Sequence, residues 1–302
     1  MTLRLTVILV VYNMTRAAPR ALQSLLTPYQ QGIAAQDYEI LVVENGSSEP
    51  LDEASIEAMG DNVHYEYVPD ASPSPARAIN QAVQRARGEV LAIMIDGAHM
   101  LSPGVLSFGL KPFACYDNPV VVTFPFFLGP GPQMETVAAG YDEAVEDALL
   151  EQISWPEDGY RLFDISTPFR IEPGGVRPKA LWLVRQFESN CLFMRRASFD
   201  AVGGCEERFD LPGGGILMPD LYRELGRMPD ATLVQLLGEA SFHQVHGGTS
   251  TNVTRDEQKA KWQEYLRQYK SVRGEPYEVC QKPLHYFGHM PSAQARQLMI
   301  TG

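Results

Sequence analysis

Residues 89–99 read EVLAIMIDGAH, in which six apolar residues run directly into an aspartate that is followed closely by a histidine. Such an uninterrupted apolar run is typical of a strand buried on both faces of a parallel sheet. Ligands of open α/β sheets bind just beyond the carboxyl ends of the strands. We therefore predict that Asp96 and His99 lie at a ligand site, where a carboxylate and an imidazole suit a metal ion or a phosphate ester.

Two earlier apolar runs also end at polar residues. Residues 5–12 are followed by Asn13, and residues 39–43 are followed by Glu44 and Asn45. The alternation of strand and helix signals over residues 1–110 predicts an α/β fold, with a mostly parallel, Rossmann-like sheet and helices on both faces. Polar groups at three strand ends favour a nucleotide site at the shared edge of that sheet.

Composition excludes several classes of protein. The chain has 302 residues, of which 45% are hydrophobic and 21% charged, and these values are ordinary for a soluble globular protein. The net charge of -12 argues against a nucleic-acid-binding surface. The four cysteines show no paired spacing, so neither a zinc ribbon nor a disulfide framework is expected. Neither a membrane span nor a signal peptide is recognisable, and we expect a cytoplasmic protein.

Four segments together resemble a known family. They are Val10–Asn13, Val42–Ser47, Asn80 with Gly88–Glu89, and Ile95–His99. In order and spacing they resemble the nucleotide-sugar-binding half of family-2 glycosyltransferases with the GT-A fold. The resemblance implies transfer of a hexosyl group from a nucleoside-diphosphate-sugar to the hydroxyl of an unknown sugar, lipid or small-molecule acceptor.

The resemblance also implies an organisation of the chain. Residues 1–110 are predicted to be the nucleotide-sugar-binding half. Residues 111–250 are predicted to be the acceptor and catalytic half of the same GT-A domain, and residues 251–302 a C-terminal helical tail packed on it. Residues 153–186 are rich in proline, glycine and aromatic residues without a clear period, so an irregular excursion around a site is expected there.

Base recognition is implied at the first two strand ends. In the family the end of the first strand cups the base, which gives this role to Val11, Tyr12 and Asn13. In the family, an acidic pair at the end of the second strand binds the base and ribose, and the resemblance gives this role to Glu44 and Asn45. The usual pair is two aspartates, so Asn45 leaves the choice of base open.

Diphosphate recognition is implied on the helix before Gly88. Asn80 matches the family's helix asparagine, whereas the arginine that normally precedes it is Ile79 here. Arg77 lies about one helical turn away and can reach the diphosphate from the same face.

The metal motif departs from the family pattern. The family has Asp-x-Asp, often with a third aspartate, and these positions hold Asp96, Ala98 and His99 here. The resemblance implies that Asp96 bridges the ribose and a divalent metal, with His99 supplying a nitrogen ligand. This change favours Mn²⁺ over Mg²⁺, because imidazole suits softer cations. The other outcome of the altered motif is that it no longer binds a metal.

Residues 242–248, FHQVHGG, resemble the late histidine that many GT-A enzymes bring back to the metal. His243 and His246 are therefore candidate metal ligands. Because they are three residues apart, they point to opposite faces of a regular strand. Both can be ligands only if the strand breaks between them, which the glycines at 247 and 248 permit.

The catalytic base is the second departure, because the Glu-Asp pair usual after the glycines at 213–215 is absent. Asp220 is the nearest carboxylate, and we predict that it accepts the proton of the acceptor hydroxyl in an inverting reaction. Alternatively, Asp220 only caps the helix that follows it.

Two other functions remain open. A nucleotidyltransferase shares a similar sheet, but a glycine-rich basic loop would normally follow the first strand, where this chain has residues 12–15, YNMT. A catalytically decayed binding protein is consistent with the missing second aspartate and the missing Glu-Asp pair.

Overall fold

The computed structural model describes residues 3–169, 180–247 and 255–297. The strands are β1 (Leu5–Val11), β2 (Tyr38–Glu44), β3 (Val63–Tyr67), β4 (Val90–Met94), β5 (His99–Leu101), β6 (Asn118–Leu128), β7 (Ser166–Pro168), β8 (Leu192–Arg195), β9 (Ala231–His243) and β10 (Leu284–Gly288). The helices are α1 (Ala17–Gln23), α2 (Glu53–Glu57), α3 (Ala76–Arg85), α4 (Val105–Leu110), α5 (Pro112–Cys115), α6 (Gln133–Thr136), α7 (Glu143–Gln152), α8 (Arg196–Ala201), α9 (Leu217–Arg227), α10 (Arg255–Arg273) and α11 (Ala293–Gln297).

One curled sheet organises these elements, in the strand order β10-β9-β6-β8-β4-β1-β2-β3. Strands β4, β1, β2 and β3 are parallel, as are β6, β9 and β10. Strand β8 runs antiparallel between β4 and β6, while β5 and β7 pair antiparallel with β9 and β6. The prediction of a mixed α/β fold with a mostly parallel sheet is confirmed.

Strand β1 shows why the sheet is buried on both faces. Its alternate residues enter different apolar clusters: Ile8 packs with residues of α3 and α9, whereas Leu9 packs with residues of α1 and α4. Side chains of successive strand residues point to opposite faces, so an unbroken apolar run needs helices on both sides. The first strands and helices therefore follow from the apolar pattern alone.

Aromatic residues form a third cluster under the irregular region. The ring of Trp182 lies against Phe124, Phe126 and Phe163, with ring centroids 5.7–5.9 Å apart. Its indole N–H donates to the carbonyl oxygen of Ala295 at 2.9 Å. The aromatic content of residues 153–186 thus builds a core, and residues 170–179 of the predicted irregular excursion lie outside the described residues.

The C-terminal region contains more than the predicted helical tail. Helix α10 is present, but β10 then adds a strand to the edge of the sheet, parallel to β9. The strand has only five residues and is mostly exposed, so its apolar pattern is too weak to be recognised in the sequence. No helix within the described ranges has the length and apolar content needed to cross a membrane.

Candidate metal and nucleotide site

The candidate site lies at the carboxyl edge of the parallel strands. Val11, the last residue of β1, stands opposite Glu44, the last residue of β2. On the other side of β1, Leu9 stands opposite Met94, the last residue of β4. Tyr12, Glu44 and Asp96 therefore emerge at one edge, as the polar strand ends predicted.

Three potential ligand atoms meet beyond this edge. The Nε2 atom of His243 lies 3.4 Å and that of His246 3.5 Å from Oδ2 of Asp96, and the two Nε2 atoms are 3.1 Å apart. Adjacent ligands bound about 2.1 Å from a small divalent ion are about 3.0–3.4 Å apart. The donor set and its spacing therefore fit such an ion, and these three residues form a possible metal-binding group.

Both histidines reach Asp96 because the strand ends between them. Strand β9 stops at His243, and residues 244–247 continue without strand geometry. The opposite orientation expected on a regular strand therefore does not apply. The structure brings His243, His246 and Asp96 together, as their prediction as metal ligands requires.

Gln133 fixes the orientation of the His243 ring. Its amide nitrogen donates to the His243 carbonyl oxygen at 3.0 Å, which leaves its amide oxygen 2.7 Å from His243 Nδ1. Nδ1 must then carry the proton that is donated to this oxygen. The lone pair of His243 is thereby left on Nε2, the atom that faces Asp96.

Glu146 fixes the segment that carries the second histidine. Its Oε2 accepts a hydrogen bond of 2.7 Å from the backbone N–H of Val245, between the two histidines. Arg16 pairs with the other oxygen of Glu146 at 3.1 Å and also donates to the Val245 carbonyl oxygen at 3.4 Å. Glu146 of α7 and Arg16, the residue before α1, therefore hold the histidine segment against Asp96.

The charges of the three groups are interdependent. Burial opposes ionisation of Asp96, but the charge and hydrogen bond of His246 outweigh it and hold the pKa of Asp96 well below its usual range. Burial lowers the pKa of His243 despite the nearby carboxylate. For His246, burial is outweighed by the charge and hydrogen bond of Asp96, so its pKa is raised. The cluster therefore concentrates negative charge on Asp96 beside two imidazoles.

His99 lies beside this cluster. It pairs with His243 across β5 and β9, and the two ring centroids are 4.7 Å apart. Burial and then the charge of His243 lower the pKa of His99 to about 3. Its buried Nδ1 has no hydrogen-bond partner among the described residues. The structure does not include His99 in the possible metal-binding group, and its role as a ligand stays a prediction.

The end of the first strand has one solvent-exposed aromatic side chain. Tyr12 is 55% exposed and is available to stack on a base, whereas Val11 is fully buried. Asn13 has a φ of 50°, and its Oδ1 accepts hydrogen bonds from the N–H groups of Ser48 and Glu49. Asn13 therefore connects two loops at the edge, and its predicted contact with the base is not tested.

Glu44 and Asn45 are both buried at the second strand end. Oε2 of Glu44 accepts hydrogen bonds from the Leu51 N–H at 2.8 Å and the Tyr65 hydroxyl at 2.9 Å. Its Oε1 is buried without a partner among the described residues. The Asn45 amide donates to the carbonyl oxygen of Ser72 at 3.0 Å. Glu44 thus keeps one acceptor atom that no described residue uses.

The two residues predicted on the helix have different surroundings. Arg77 is exposed in the first turn of α3. Asn80 instead uses its whole amide: the oxygen accepts the N–H of Cys205, and the nitrogen donates to the Cys205 carbonyl oxygen and to Glu207, each at 2.9 Å. The amide of Asn80 therefore holds the 205–207 loop, and its contact with a nucleotide-sugar stays a prediction.

Asp220 is buried in an ion pair. Its carboxylate, with a side chain only 2% exposed, accepts two hydrogen bonds from the Arg273 guanidinium at 2.9 and 2.6 Å. Burial raises the pKa of Asp220, while Arg273 opposes the rise. A base must reach the acceptor hydroxyl, so the predicted role of Asp220 would require Arg273 to release it.

Gln133, Glu146 and Arg16 were not predicted from the sequence. They lie 110, 99 and 229 residues from the histidine-segment residues that they bind. Polar residues in loops and short helices leave no periodic signal, so only the folded chain identifies these contacts.

Comparisons with known proteins agree with this architecture. Residues 6–129 match the family model described as glycosyl transferase family 2. The mannosyltransferase PcManGT from Pyrobaculum calidifontis, solved with GDP-Man and Mn²⁺, has a TM-score of 0.57 at 14% identity, over 91% of this chain and 65% of that one. TarS 1–349 from S. aureus, solved with UDP-GlcNAc, has a TM-score of 0.51 at 13% identity, over 89% of this chain and 67% of that one. No curated protein matches the chain significantly.

The fold is the GT-A fold found in nucleotide-sugar glycosyltransferases. The predicted resemblance to glycosyl transferase family 2 is confirmed over the matched residues 6–129.

Proposed function

We propose that the protein transfers a hexosyl group from a nucleoside-diphosphate-sugar to an acceptor hydroxyl, with inversion and with a divalent cation held by Asp96, His243 and His246. The observation that carries the proposal is the convergence of these three side chains at the carboxyl edge of the sheet. When bound there, Mn²⁺ or Mg²⁺ supplies Lewis-acid stabilisation of the departing diphosphate. Two nitrogen ligands favour Mn²⁺.

The donor is proposed to bind along the same edge. Tyr12 stacks on the base, and Oε1 of Glu44, which has no partner among the described residues, accepts a ring N–H from it. Because Oε1 is buried, the residues that cover it must move aside for this contact to form. Uracil and guanine carry such an N–H, whereas cytosine and adenine do not. UDP and GDP donors are therefore favoured, and the solved relatives hold UDP-GlcNAc and GDP-Man. Arg77 adds a positive charge for the diphosphate.

A catalytically decayed binding protein is the second candidate. It is supported by the ion pair between Asp220 and Arg273, which occupies the carboxylate predicted to be the base. Such a protein would bind nucleoside diphosphates without turning over a donor.

Calorimetry separates these candidates. UDP, GDP, CDP and ADP would be titrated into the protein with and without Mn²⁺, and release of nucleoside diphosphate from UDP-GlcNAc and GDP-mannose would be measured in parallel. We expect UDP or GDP to bind more tightly with Mn²⁺, and its sugar to be released. Binding without release supports the decayed protein, and binding of none of the four nucleotides contradicts the proposal.

Gln133→Ala is expected to weaken Mn²⁺ binding by about 10- to 100-fold, because a partner that orients a ligating histidine typically has an effect of this size. The variant loses the acceptor that keeps the proton on Nδ1 of His243. Mn²⁺ affinity would be measured by electron paramagnetic resonance. Gln281→Ala, the same change at an exposed glutamine, is the matched control, and equal affinities for Gln133→Ala and the wild type would refute the role of Gln133.

Mn²⁺ affinity is expected to fall with decreasing pH because His246 must be neutral to bind a metal. The pKa of His246 is raised, so protons compete with Mn²⁺ below that pKa, and affinity falls by about tenfold per pH unit. The pKa values of Asp96 and His243 are lowered, so these groups do not compete near neutral pH. Titrations between about pH 5.5 and 8 test this, and His246→Gln should flatten the profile.

A further inference from the structure

Glu188 lies at the same edge of the sheet as Asp96. Strand β8 runs antiparallel to β4, and their pairing ends with Leu192 opposite Ile93. Glu188 lies four residues before Leu192, while Asp96 lies three residues after Ile93. Both chains leave the sheet in the same direction, because the start of β8 adjoins the end of β4.

The backbone around Glu188 is anchored. The hydroxyl of the next residue, Ser189, accepts the N–H of Thr123 at 3.0 Å and donates to the Cys191 carbonyl oxygen at 2.8 Å. On the other side, the ring of Phe187 contacts that of Trp262, with centroids 6.2 Å apart. The segment that carries Glu188 is therefore held on both sides.

The carboxylate of Glu188 has no partner among the described residues. Within the described part of the chain it has no hydrogen bond or ion pair, although the side chain is partly buried. Tyr277 is a titratable group close enough for the charge of Glu188 to add to the effect of burial on its pKa. Burial raises the pKa of Glu188 to about 7.

Three other carboxylates of the site have partners. Asp220 is paired with Arg273, and Glu146 with Arg16. Glu44 accepts from Leu51 and Tyr65 and is assigned to the base of the nucleotide. A general base works best with a pKa near the working pH and within hydrogen-bond reach of the proton that it accepts.

We propose that Glu188 is the general base that accepts the proton of the acceptor hydroxyl, in place of Asp220. This inference rests on the proposed glycosyl transfer. The acceptor oxygen forms the new bond to the anomeric carbon, and its proton moves to a carboxylate oxygen of Glu188. The bond from the anomeric carbon to the phosphate oxygen breaks, and its electron pair leaves with the nucleoside diphosphate. Attack from the face opposite the leaving group inverts the configuration.

Glu188→Gln tests the inference, because glutamine keeps the shape but accepts no proton. With Mn²⁺ present, hydrolysis of UDP-GlcNAc and GDP-mannose would be followed by release of nucleoside diphosphate, with water as the acceptor. We expect kcat to fall by about 10²- to 10⁴-fold, with nucleotide affinity and melting temperature unchanged. Glu278→Gln, an exposed glutamate next to Tyr277, is the matched control.

A second measurement does not depend on turnover. Carboxyl ¹³C NMR of the protein without donor should show one glutamate titrating near pH 7, and Glu188→Gln should remove that signal. The wild-type rate should rise with pH through the same range, because only the carboxylate accepts a proton. A Glu188 signal that titrates near its ordinary value of about 4.3 would overturn the inference.

The outcomes separate this inference from the proposed function. A wild type that hydrolyses a donor while Glu188→Gln is equally fast overturns the role of Glu188 alone. A wild type that binds nucleotide but releases none from either donor across the pH range overturns both. If Asp220→Asn lost turnover with its stability intact and Glu188→Gln did not, Asp220 would be the base.

Discussion

Asp96→Asn is expected to lower Mn²⁺-dependent turnover of a nucleotide-sugar by about 10³-fold or more. The substitution removes the only anionic group of the three proposed ligands and leaves two neutral imidazoles. Stabilisation of the leaving diphosphate by a metal is worth several kcal/mol, and each 1.36 kcal/mol is a factor of ten in rate. The readout is kcat/KM with and without Mn²⁺.

The fold of Asp96→Asn should remain intact. Oδ1 of Asp96 accepts the N–H of Ala98 at 2.9 Å, and the oxygen of asparagine can accept the same hydrogen bond. The exposed Asp61→Asn is the matched control for a lost charge. Full Mn²⁺-stimulated activity in Asp96→Asn would show that the reaction does not depend on this carboxylate.

Arg273→Met is expected to lower the free energy of unfolding by about 3 kcal/mol. It leaves the Asp220 carboxylate without a partner in a site where its side chain is only 2% exposed. Breaking a buried pair from one side is strongly destabilising because an uncompensated charge remains. Denaturant unfolding at neutral pH measures the change.

The loss of stability in Arg273→Met should be larger at neutral pH than at acidic pH. Arg273 opposes the rise that burial causes in the pKa of Asp220, so its removal raises that pKa further. A carboxyl with a raised pKa binds its proton more tightly in the folded state, so stability falls as pH rises above the unfolded pKa of about 3.9. The variant should therefore be closest to wild-type stability at acidic pH.

Removing both members of the Asp220–Arg273 pair tests whether Asp220 has a structural or a catalytic role. The double variant Asp220→Leu with Arg273→Met should be more stable than Arg273→Met alone, because no buried charge is left. If Asp220 has only this structural role, Asp220→Asn reduces stability and leaves turnover per folded molecule unchanged. A large loss of turnover without a loss of stability would instead support the predicted catalytic base.

The first half of the fold could be predicted from the sequence because its signals are local. An apolar run such as residues 90–95 identifies a buried strand, and the residue that follows it identifies the edge where ligands bind. Asp96 could be placed in this way, and the resemblance to a family added His243 and His246. The structure then brought all three together.

The contacts that hold the site could not be predicted, because they join residues far apart in the chain. Gln133 and Glu146 are single polar residues whose importance depends on meeting His243 and Val245 in the folded protein. The ion pair of Asp220 with Arg273 likewise joins α9 to the end of α10, and sequence position alone indicated a catalytic base there. The carboxylate of Glu188, which has no partner among the described residues, becomes recognisable only once these pairings are known.

The position of bound Mn²⁺ tests the central claim most directly. Crystals of the protein grown with MnCl₂ and UDP would be measured at the manganese absorption edge. We predict an anomalous peak in contact with Oδ2 of Asp96 and Nε2 of His243 and His246. A manganese peak elsewhere in the protein, with these three atoms not in contact with a metal, would contradict the claim.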